Sequence, residues 1–413
     1  MSPINIIKSY LHFRFHRWDV YASNRPLHGK QESHACACDS EAQLEAKTGL
    51  GLCDQGAPHR DSTFHEALAV TSSGRYEVLQ IKSKGSLGES EVQICTRAIG
   101  LNPIDWKSVD FSMCMPEFPW VNGRELAGVV EAVGSTVSYI RPGDRVWSST
   151  YYRKREAGCF QARVVVPAHT VLPLPSDLSF EDGACLGVPG LTAAMTLWHW
   201  LGVPMPCDAT MHPTAQGAQG QGPILIWGGS TITGQFAIQL ATLSGLDVIA
   251  VTSGKTSAVA QSLGAKCVVV RDGKTNDHIV AEISAAVASL AGSPDALTKA
   301  IDIVGPETAI HTMGALSSSQ PSTIAALSFL PSGATVPDNI TVANVQMKDF
   351  VLCPESRKYA LELNRLIASK IVQLPSHEIS SCGLSGIPTG LQRLKEGDMG
   401  GKKLVVSLQT DRI

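Results

Sequence analysis

Apolar strands and amphipathic helices alternate regularly between residues 190 and 350. The strand-like runs are PILIWGG, DVIAVTS, KCVVV and KAIDIVG, and they are separated by the helical stretches TGQFAIQLATLSG, KTSAVAQSLG and HIVAEISAAVASLAG. A strand that is always followed by a helix returns parallel to its neighbour, and the helices then cover both faces of the sheet. We therefore predict a doubly wound α/β domain over residues 191–350.

The residues on both sides of this domain have a β-rich character. Residues 66–190 contain short runs, among them ALAVTSS, EVQICTRAIG, LAGVVEAVG and DRVWSST, which glycine and proline turns separate as in a compact β-barrel. Residues 351–413 add the helix ESRKYALELNRLIASK and a final strand, KKLVVSL. The α/β domain is thus predicted to be inserted between two parts of a β-rich domain.

Residues 1–65 show no helical or strand periodicity, and we expect a poorly ordered extension. Its basic, aromatic opening leaves a mitochondrial transit peptide open, although the acids and cysteines that follow favour a dispensable leader. Cys36, Cys38 and Cys53 lie near His34, but the C-x-C spacing matches no common structural zinc pattern. No metal site is predicted there.

Charge and hydropathy exclude two classes of partner. The 34 Lys and Arg against 37 Asp and Glu give a formal charge of −3, which offers no attraction for nucleic acid or an anionic membrane. No apolar window approaches the length of a membrane span, and the start lacks the apolar core of a secretory signal. We expect a cytoplasmic protein whose cysteines are reduced thiols.

A glycine turn joins the first strand of the α/β domain to its first helix. Such a turn lets phosphate oxygens approach the N–H groups at a helix N-terminus. A simple tight connection is the alternative, but the position of the turn at the start of a βαβαβ run favours a dinucleotide site. The residues predicted to contact the phosphates are Gly228, Gly229, Ser230, Thr231, Ile232 and Thr233.

The end of the second strand favours NADPH over NADH. Thr252 and Ser253 stand where an Asp or Glu would hold the ribose 2′-hydroxyl of NADH, and Lys255 follows. Ser253 and Lys255 suit a 2′-phosphate, and Arg271 after the third strand can reach the same end of the coenzyme. The alternative is that Lys255 is a solvated residue at a helix start.

Four stretches together resemble one known family. LNPIDWKS, PWVNGRELAGVVEAVGSTVSYIRPGDRVW, ILIWGGSTITGQFAIQLA and GLQRLKEGDMGGKKLVV are similar to the zinc-free branch of the medium-chain dehydrogenase/reductase superfamily, within about residues 66–410. Inside that branch they resemble quinone-oxidoreductase-like enzymes and the fungal trans-acting enoyl-reductase-like enzymes of secondary metabolism. The resemblance implies a GroES-like β-barrel catalytic domain with an inserted Rossmann domain and a cleft between them.

The resemblance also implies roles for individual residues. It places Asn102, Asp105, Lys107 and Thr192 near the nicotinamide, and Gly401 with Lys402 at a C-terminal coenzyme contact. Simpler alternatives stay open: a local ion pair between Asp105 and Lys107, helix capping by Thr192, and a plain turn at Gly401.

The chain departs from family patterns at two places. Thr231 stands where many relatives have a third glycine within the phosphate loop, and its hydroxyl could itself contact phosphate. The zinc ligands of metal-dependent relatives are absent, since Asn102 and Arg124 occupy the corresponding region and Cys159 is a single thiol in place of a four-cysteine lobe. We predict no metal.

These inferences lead to one functional hypothesis and two alternatives. The hypothesis is NADPH-dependent reduction of an enone, an enoyl thioester or a quinone, in which positioning and electrostatics lower the barrier. The enzyme is expected to be a monomer or homodimer that acts alone or in trans beside a polyketide-type synthase. The alternatives are a non-catalytic NADPH-binding scaffold and a zinc alcohol dehydrogenase.

Overall fold

The computed structural model describes residues 63–72, 74–150, 154–206, 221–397 and 399–408. The first strand begins at Phe64, so the last two residues of the predicted extension belong to the fold. The rest of that extension, including its cysteine and histidine group, lies outside the described residues.

The β-rich part opens with strands whose side chains alternate between a buried and a more exposed face. In β3 every second residue from Val92 to Ala98 is buried, as expected for a strand with one face on a core. Helix α1 (Pro103–Asp110) follows β3, and the short helix α2 (Phe180–Gly183) follows the last of these strands. The strands are β1 (Phe64–Val70), β2 (Tyr76–Lys82), β3 (Glu91–Gly100), β4 (Trp120–Val121), β5 (Glu125–Val133), β6 (Arg145–Ser149), β7 (Arg163–Pro167) and β8 (Val171–Pro173).

A parallel sheet follows helix α3 (Pro189–Met195), which continues as a π-helical turn over Thr196–Trp200. The elements in chain order are β9 (Pro223–Trp227), α4 (Ile232–Leu243), β10 (Asp247–Thr252), α5 (Ser257–Ser262), β11 (Cys267–Val270), α6 (Asn276–Ala291), β12 (Lys299–Asp302), α7 (Pro306–Gly314), β13 (Ser322–Ala326) and β14 (Ile340–Val342). The strands pair in parallel in the order β11-β10-β9-β12-β13-β14. The order reverses at β9, and ligands of such sheets bind at the carboxyl ends of the strands beside this switch point.

The C-terminal part returns to the antiparallel sheet. It comprises α8 (Lys348–Leu352), α9 (Arg357–Ala368), β15 (His377–Ser380), α10 (Ile387–Glu396) and β16 (Lys403–Ser407). Strand β16 pairs with β3, which completes a sheet of order β15-β16-β3-β5-β6-β8 in which β7 also pairs with β3. A second sheet has the order β2-β1-β4. The predicted fold class is confirmed, while the residue limits of the domains stay predictions.

One apolar cluster joins the parallel and antiparallel sheets. It includes Trp147 of β6, Ile226 of β9 and Leu363 of α9. Helix α9 is also hydrogen-bonded to two strands of the antiparallel sheet. Trp147 Nε1 of β6 donates to Asn364 Oδ1 at 2.8 Å, and Arg357 donates to the carbonyl of Val171 in β8 at 2.8 Å. The two sheets therefore share a core. No helix in the described part of the chain combines the length and the apolar character that crossing a bilayer requires.

Candidate active site

The glycine turn lies at the carboxyl end of β9, at the switch point of the parallel sheet. Gly228 has a φ of +100°, which favours glycine, and the N–H groups of Gly228 and Gly229 both donate to the carbonyl of Val251. A Cβ on Gly234 would lie 2.2 Å from the carbonyl oxygen of Gly228. Gly234 is thus a third glycine that the turn requires; the sequence places it at the end of the turn and not among the predicted phosphate contacts.

Thr231 closes this turn as the N-cap of α4. Its Oγ1 accepts a hydrogen bond from Gly234 N at 3.0 Å and donates to the carbonyl of Gly228 at 2.8 Å. The φ of −67° is an ordinary value, so threonine introduces no backbone strain here. Because its proton is committed to Gly228, the Thr231 hydroxyl stabilises the turn, and a direct donation to phosphate is not available without breaking that bond.

The cap leaves two N–H groups at the helix start. Ile232 and Thr233 are the first two residues of α4, and N–H groups at these positions have no partner within a helix. The partial positive charge of the helix N-terminus adds to them. The turn therefore offers donors that suit one phosphate group of a dinucleotide, and the phosphate contacts of its residues stay a prediction.

Three hydroxyl groups lie together beside the turn. Ser230 Oγ and Ser253 Oγ are hydrogen-bonded to Thr256 Oγ1 at 2.6 and 2.9 Å, and Thr256 is buried. We call Ser230, Ser253 and Thr256 the hydroxyl cluster. It links the β9–α4 turn to the end of β10, and the sequence prediction had missed Thr256.

The turn before β16 reaches the same place. The carbonyl of Gly401 accepts a hydrogen bond from Gln235 Nε2 at 2.7 Å, and the same nitrogen donates to the carbonyl of Ser230 at 3.1 Å. Gly401 has a φ of +78°, and a Cβ there would lie 3.3 Å from the Ser230 carbonyl oxygen. The structure thus brings Gly401 against the glycine turn. Its role as a coenzyme contact stays a prediction.

Three predicted coenzyme contacts lie at the periphery. Lys255 is exposed and forms no ion pair with a described residue, and Arg271 is exposed while its backbone N–H donates to the carbonyl of Thr252. The Lys402 ammonium lies 3.8 Å from Glu378 Oε1. Their roles as coenzyme contacts stay predictions.

Asn102 belongs to a closed, buried hydrogen-bond network. Its Nδ2 donates to Glu125 Oε1 at 2.8 Å, and Lys403 Nζ donates both to Asn102 Oδ1 at 2.7 Å and to Glu125. The other Glu125 oxygen accepts from Val188 N at 2.7 Å. The side chains of Glu125 and Lys403 are 0% and 3% exposed. We call Asn102, Glu125, Lys403 and Val188 N the Asn102 network.

This network fixes four elements relative to one another. It joins the start of α1, the first residue of β5, the first residue of β16 and the residue before α3. Gly100 makes it possible, since a Cβ there would lie 2.4 Å from Glu125 Oε1. The sequence prediction missed Glu125 and Lys403, although a charged residue that opens an apolar strand must find a partner when buried.

Asp105 is a buried carboxyl group with one free oxygen. Oδ2 accepts a hydrogen bond from Asn102 N at 2.9 Å, and Oδ1 has no partner. Burial raises the pKa of Asp105 to about 7, against the opposing charge of Arg124 and the bond from Asn102. No ion pair joins Asp105 to Lys107, so the alternative of a local pair is wrong.

Lys107 is a half-buried cation without a counter-ion. Its Nζ lies 5.7 Å from the centre of the Trp106 ring, and it forms no ion pair within the described ranges. Burial lowers the pKa of Lys107. A partly desolvated ammonium of this kind can stabilise an oxygen on which negative charge develops.

Thr192 lies in α3, whose N-cap is Val188. The Thr192 N–H donates to the carbonyl of Val188 at 2.9 Å, as inside a helix, so the capping alternative is wrong. Its side chain is nearly buried, with 9% of the residue exposed. Because Val188 N bonds to Glu125, the Asn102 network sets the position of the helix that carries Thr192.

The residues at the positions of zinc ligands have other partners. Arg124 Nη2 donates to Ser108 Oγ at 3.1 Å, and Cys159 is buried with its pKa raised by desolvation. Within the described ranges, no three side chains of the His, Cys, Asp or Glu type lie together so that they could hold a metal.

Comparisons with known proteins agree with this architecture. Residues 88–176 match the family model of the alcohol dehydrogenase GroES-like domain. The chain is 31% identical to a trans-enoyl reductase of Aspergillus flavipes over 362 residues, which are 83% of this chain and 99% of that protein. It is 32% identical to a trans-enoyl reductase of Aspergillus sclerotiorum, covering 82% of this chain and 99% of the relative.

A solved structure shares the fold. The quinone oxidoreductase of Pseudomonas syringae pv. Tomato DC3000 superposes with a TM-score of 0.67 at 22% sequence identity, covering 83% of this chain and all of that chain.

Proposed function

The chain belongs to the medium-chain dehydrogenase/reductase superfamily, and from this premise we propose that it reduces an activated C=C bond, or a quinone, with NADPH and without a metal. The observation that carries the proposal is Lys107, a partly desolvated cation that forms no ion pair with a described residue and lies on α1, the helix whose start the Asn102 network holds. This arrangement suits a reaction in which an oxygen of the substrate gains negative charge.

The residues at the parallel sheet suit the coenzyme. The N–H groups of Ile232 and Thr233 and the hydroxyl cluster offer hydrogen-bond donors to phosphates, and Gly401 leaves space beside them. The end of β10 carries Thr252 and Ser253 and no carboxylate, which supports NADPH. When bound, NADPH would supply a hydride.

The proposed electrostatic role of Lys107 follows from the bond changes. Hydride adds to the β-carbon of a conjugated carbonyl compound, the C=C electron pair shifts towards the carbonyl, and negative charge gathers on its oxygen. The α-carbon then takes a proton from solvent water, which becomes hydroxide, and the C=C bond has been reduced to a single bond. A cation held near that oxygen lowers the barrier, because it interacts more strongly with the transition state than with the neutral substrate.

Asn102 and Asp105 are assigned positioning roles within this proposal. The amide nitrogen and oxygen of Asn102 are both committed to the Asn102 network, so its side chain orients α1, which carries Lys107. Asp105 holds the Asn102 N–H from the first turn of the same helix. Thr192 stays a candidate for contact with the nicotinamide.

The biological setting is proposed from the relatives. Two fungal proteins that are more than 30% identical over nearly their whole length are named trans-enoyl reductases. We therefore propose that the substrate is an enoyl thioester and that the protein acts in fungal secondary metabolism, in trans beside a polyketide-type synthase.

Steady-state NADPH oxidation tests the function. The purified full chain is assayed with an enoyl thioester of N-acetylcysteamine and with a quinone, and alcohol oxidation with NADP⁺ is assayed in parallel. We expect turnover of the thioester or the quinone and none of the alcohol. Coenzyme binding without turnover of any substrate would support a scaffold, and alcohol oxidation alone would support a dehydrogenase.

A matched pair of lysine variants tests the role of Lys107. Lys395 Nζ lies at the same 5.7 Å from the Trp106 ring but pairs with Asp110 and is 44% exposed. We expect Lys107→Ala to lower kcat by roughly a hundredfold, the typical effect of losing one oxyanion-stabilising group, and Lys395→Ala to leave it unchanged. Equal kcat values for the two variants would remove Lys107 from the mechanism.

A further inference from the structure

A carboxylate lies at the end of the parallel sheet where the adenosine of the coenzyme is expected. Asp272 follows β11, and its Oδ2 accepts a hydrogen bond from Gly254 N at 2.8 Å. Gly254 lies between Ser253 and Lys255, the two residues that favour a 2′-phosphate. The sequence prediction considered the end of β10 and did not consider a carboxylate arriving from β11.

The contact occupies an N–H donor in the turn at which Ser253 and Lys255 are proposed to meet a 2′-phosphate. Ser253 Oγ is already bonded to Thr256, and the Gly254 N–H is bonded to Asp272. Asp272 is exposed, and within the described ranges it forms no salt bridge with Lys255, Arg271 or another cation. A phosphate at this turn would meet a like charge at close range and would have to displace it.

We propose that Asp272 sets the ratio in which this protein binds NADPH and NADH. Its carboxylate competes with the 2′-phosphate for the Gly254 N–H and repels that phosphate, while NADH, which lacks the phosphate, is bound without this competition. Asp272 therefore opposes the preference for NADPH that Ser253, Lys255 and Arg271 create. The inference rests on the proposed function, since it requires a nicotinamide coenzyme at this edge of the sheet.

The variant Asp272→Asn separates charge from structure. The asparagine Oδ1 can accept the same hydrogen bond from Gly254 N, so the turn keeps its shape and only the negative charge is lost. The matched control is Asp338→Asn, because Asp338 is exposed and lies two residues before β14, at the opposite edge of the parallel sheet from β11. Both variants change the net charge of the full chain by the same amount.

Dissociation constants for NADPH, NADH and 2′,5′-ADP are measured by calorimetric titration at low and high salt. We expect Asp272→Asn to bind NADPH and 2′,5′-ADP about five- to twentyfold more tightly at low salt, as for one removed like charge near the surface. NADH affinity should stay within about twofold, the gain should shrink at high salt, and Asp338→Asn should match the wild type.

Two results would overturn the inference while leaving the function intact. One is an unchanged NADPH affinity in Asp272→Asn, and the other is an equal change for NADPH and NADH, which would indicate a general effect on the turn. Binding of neither coenzyme by the wild type would instead overturn the proposed function, and this inference with it.

Discussion

Two buried acids beside α1 differ in how their charge is balanced. Glu125 faces Lys403, Asn102 and Val188 N, and each of its oxygens has a donor. Asp105, in the first turn of α1, has one oxygen that accepts a hydrogen bond and one without a partner. The bonds of Glu125 hold α1, α3, β5 and β16 together. The burial of Asp105, with one oxygen unpaired, instead favours the neutral form of its carboxyl group.

Removing the charge of Glu125 should be costly. Glu125→Gln leaves the Lys403 ammonium buried without a counter-charge, and we expect the free energy of unfolding in urea to fall by about 3–5 kcal/mol. The double variant Glu125→Gln, Lys403→Met should recover part of this loss, because neither charge is then buried.

The control for Glu125 is a surface pair. Asp247 pairs with Lys266, whose side chain is 56% exposed, and Asp247→Asn should cost less than about 1 kcal/mol. If Glu125→Gln were no more destabilising than Asp247→Asn, the Asn102 network would not carry the structural role given to it.

Asp105 should make stability depend on pH. Its pKa is raised in the folded state, so it stabilises the fold fully below the pKa of the unfolded chain, and this contribution is lost as pH rises through about 7. From pH 5 to pH 8, we expect the unfolding free energy of the wild type to fall by about 2–3 kcal/mol more than that of Asp105→Asn, which has no carboxyl group to titrate at this position. Arg124, Lys403 and Glu125 face the same group and remain in both proteins. Parallel pH profiles for the two proteins would contradict the raised pKa.

At the scale of elements, the hydroxyl cluster joins the β9–α4 turn to the end of β10. Thr256→Val keeps the volume of the side chain and removes its hydrogen bonds to the hydroxyl groups of Ser230 and Ser253. Each hydrogen bond contributes about 0.5–1.5 kcal/mol to the free energy that holds the turn in place. Because the loss of these bonds loosens the proposed coenzyme site, we expect roughly tenfold weaker binding of NADPH and of NADH in a fluorescence titration.

A second threonine provides the control for the cluster. Thr275 caps α6 by accepting from His278 N, so Thr275→Val should lower stability by about 1 kcal/mol and leave coenzyme affinity unchanged. Unchanged affinity in Thr256→Val would show that the hydroxyl cluster does not support the coenzyme site.

The elements were predictable because their signals are local. The run from β9 to β12 alternates apolar strands with helices, and the glycine turn is confined to a few neighbouring residues. The missed residues depend on distant partners: Lys403 bonds to Asn102 across 301 positions and to Glu125 across 278. The periodicity of a short stretch of sequence gives no information about partners so far apart. The hydrogen bond from Gly254 to Asp272 likewise forms only when β10 and β11 are adjacent in the sheet.

At the scale of the whole molecule, the parallel and antiparallel sheets together position the residues of the proposed site. The apolar cluster that contains Trp147, Ile226 and Leu363 fixes the parallel sheet against the antiparallel one. The turn before β16 then brings Gly401 to the glycine turn, and the first residue of β16, Lys403, joins the Asn102 network. One short segment thereby connects the coenzyme side of the proposed site to the side that carries Lys107.

The central claim is hydride transfer from NADPH to the β-carbon of an activated C=C bond. Its most direct measurement uses NADPH carrying deuterium on one or the other face of the nicotinamide C4, with the full chain and an enoyl thioester in ordinary water, followed by mass spectrometry of the product. The account predicts one deuterium at the β-carbon from one labelled form and none from the other. A reduced product without deuterium from either form, or no reduction at all, would contradict it.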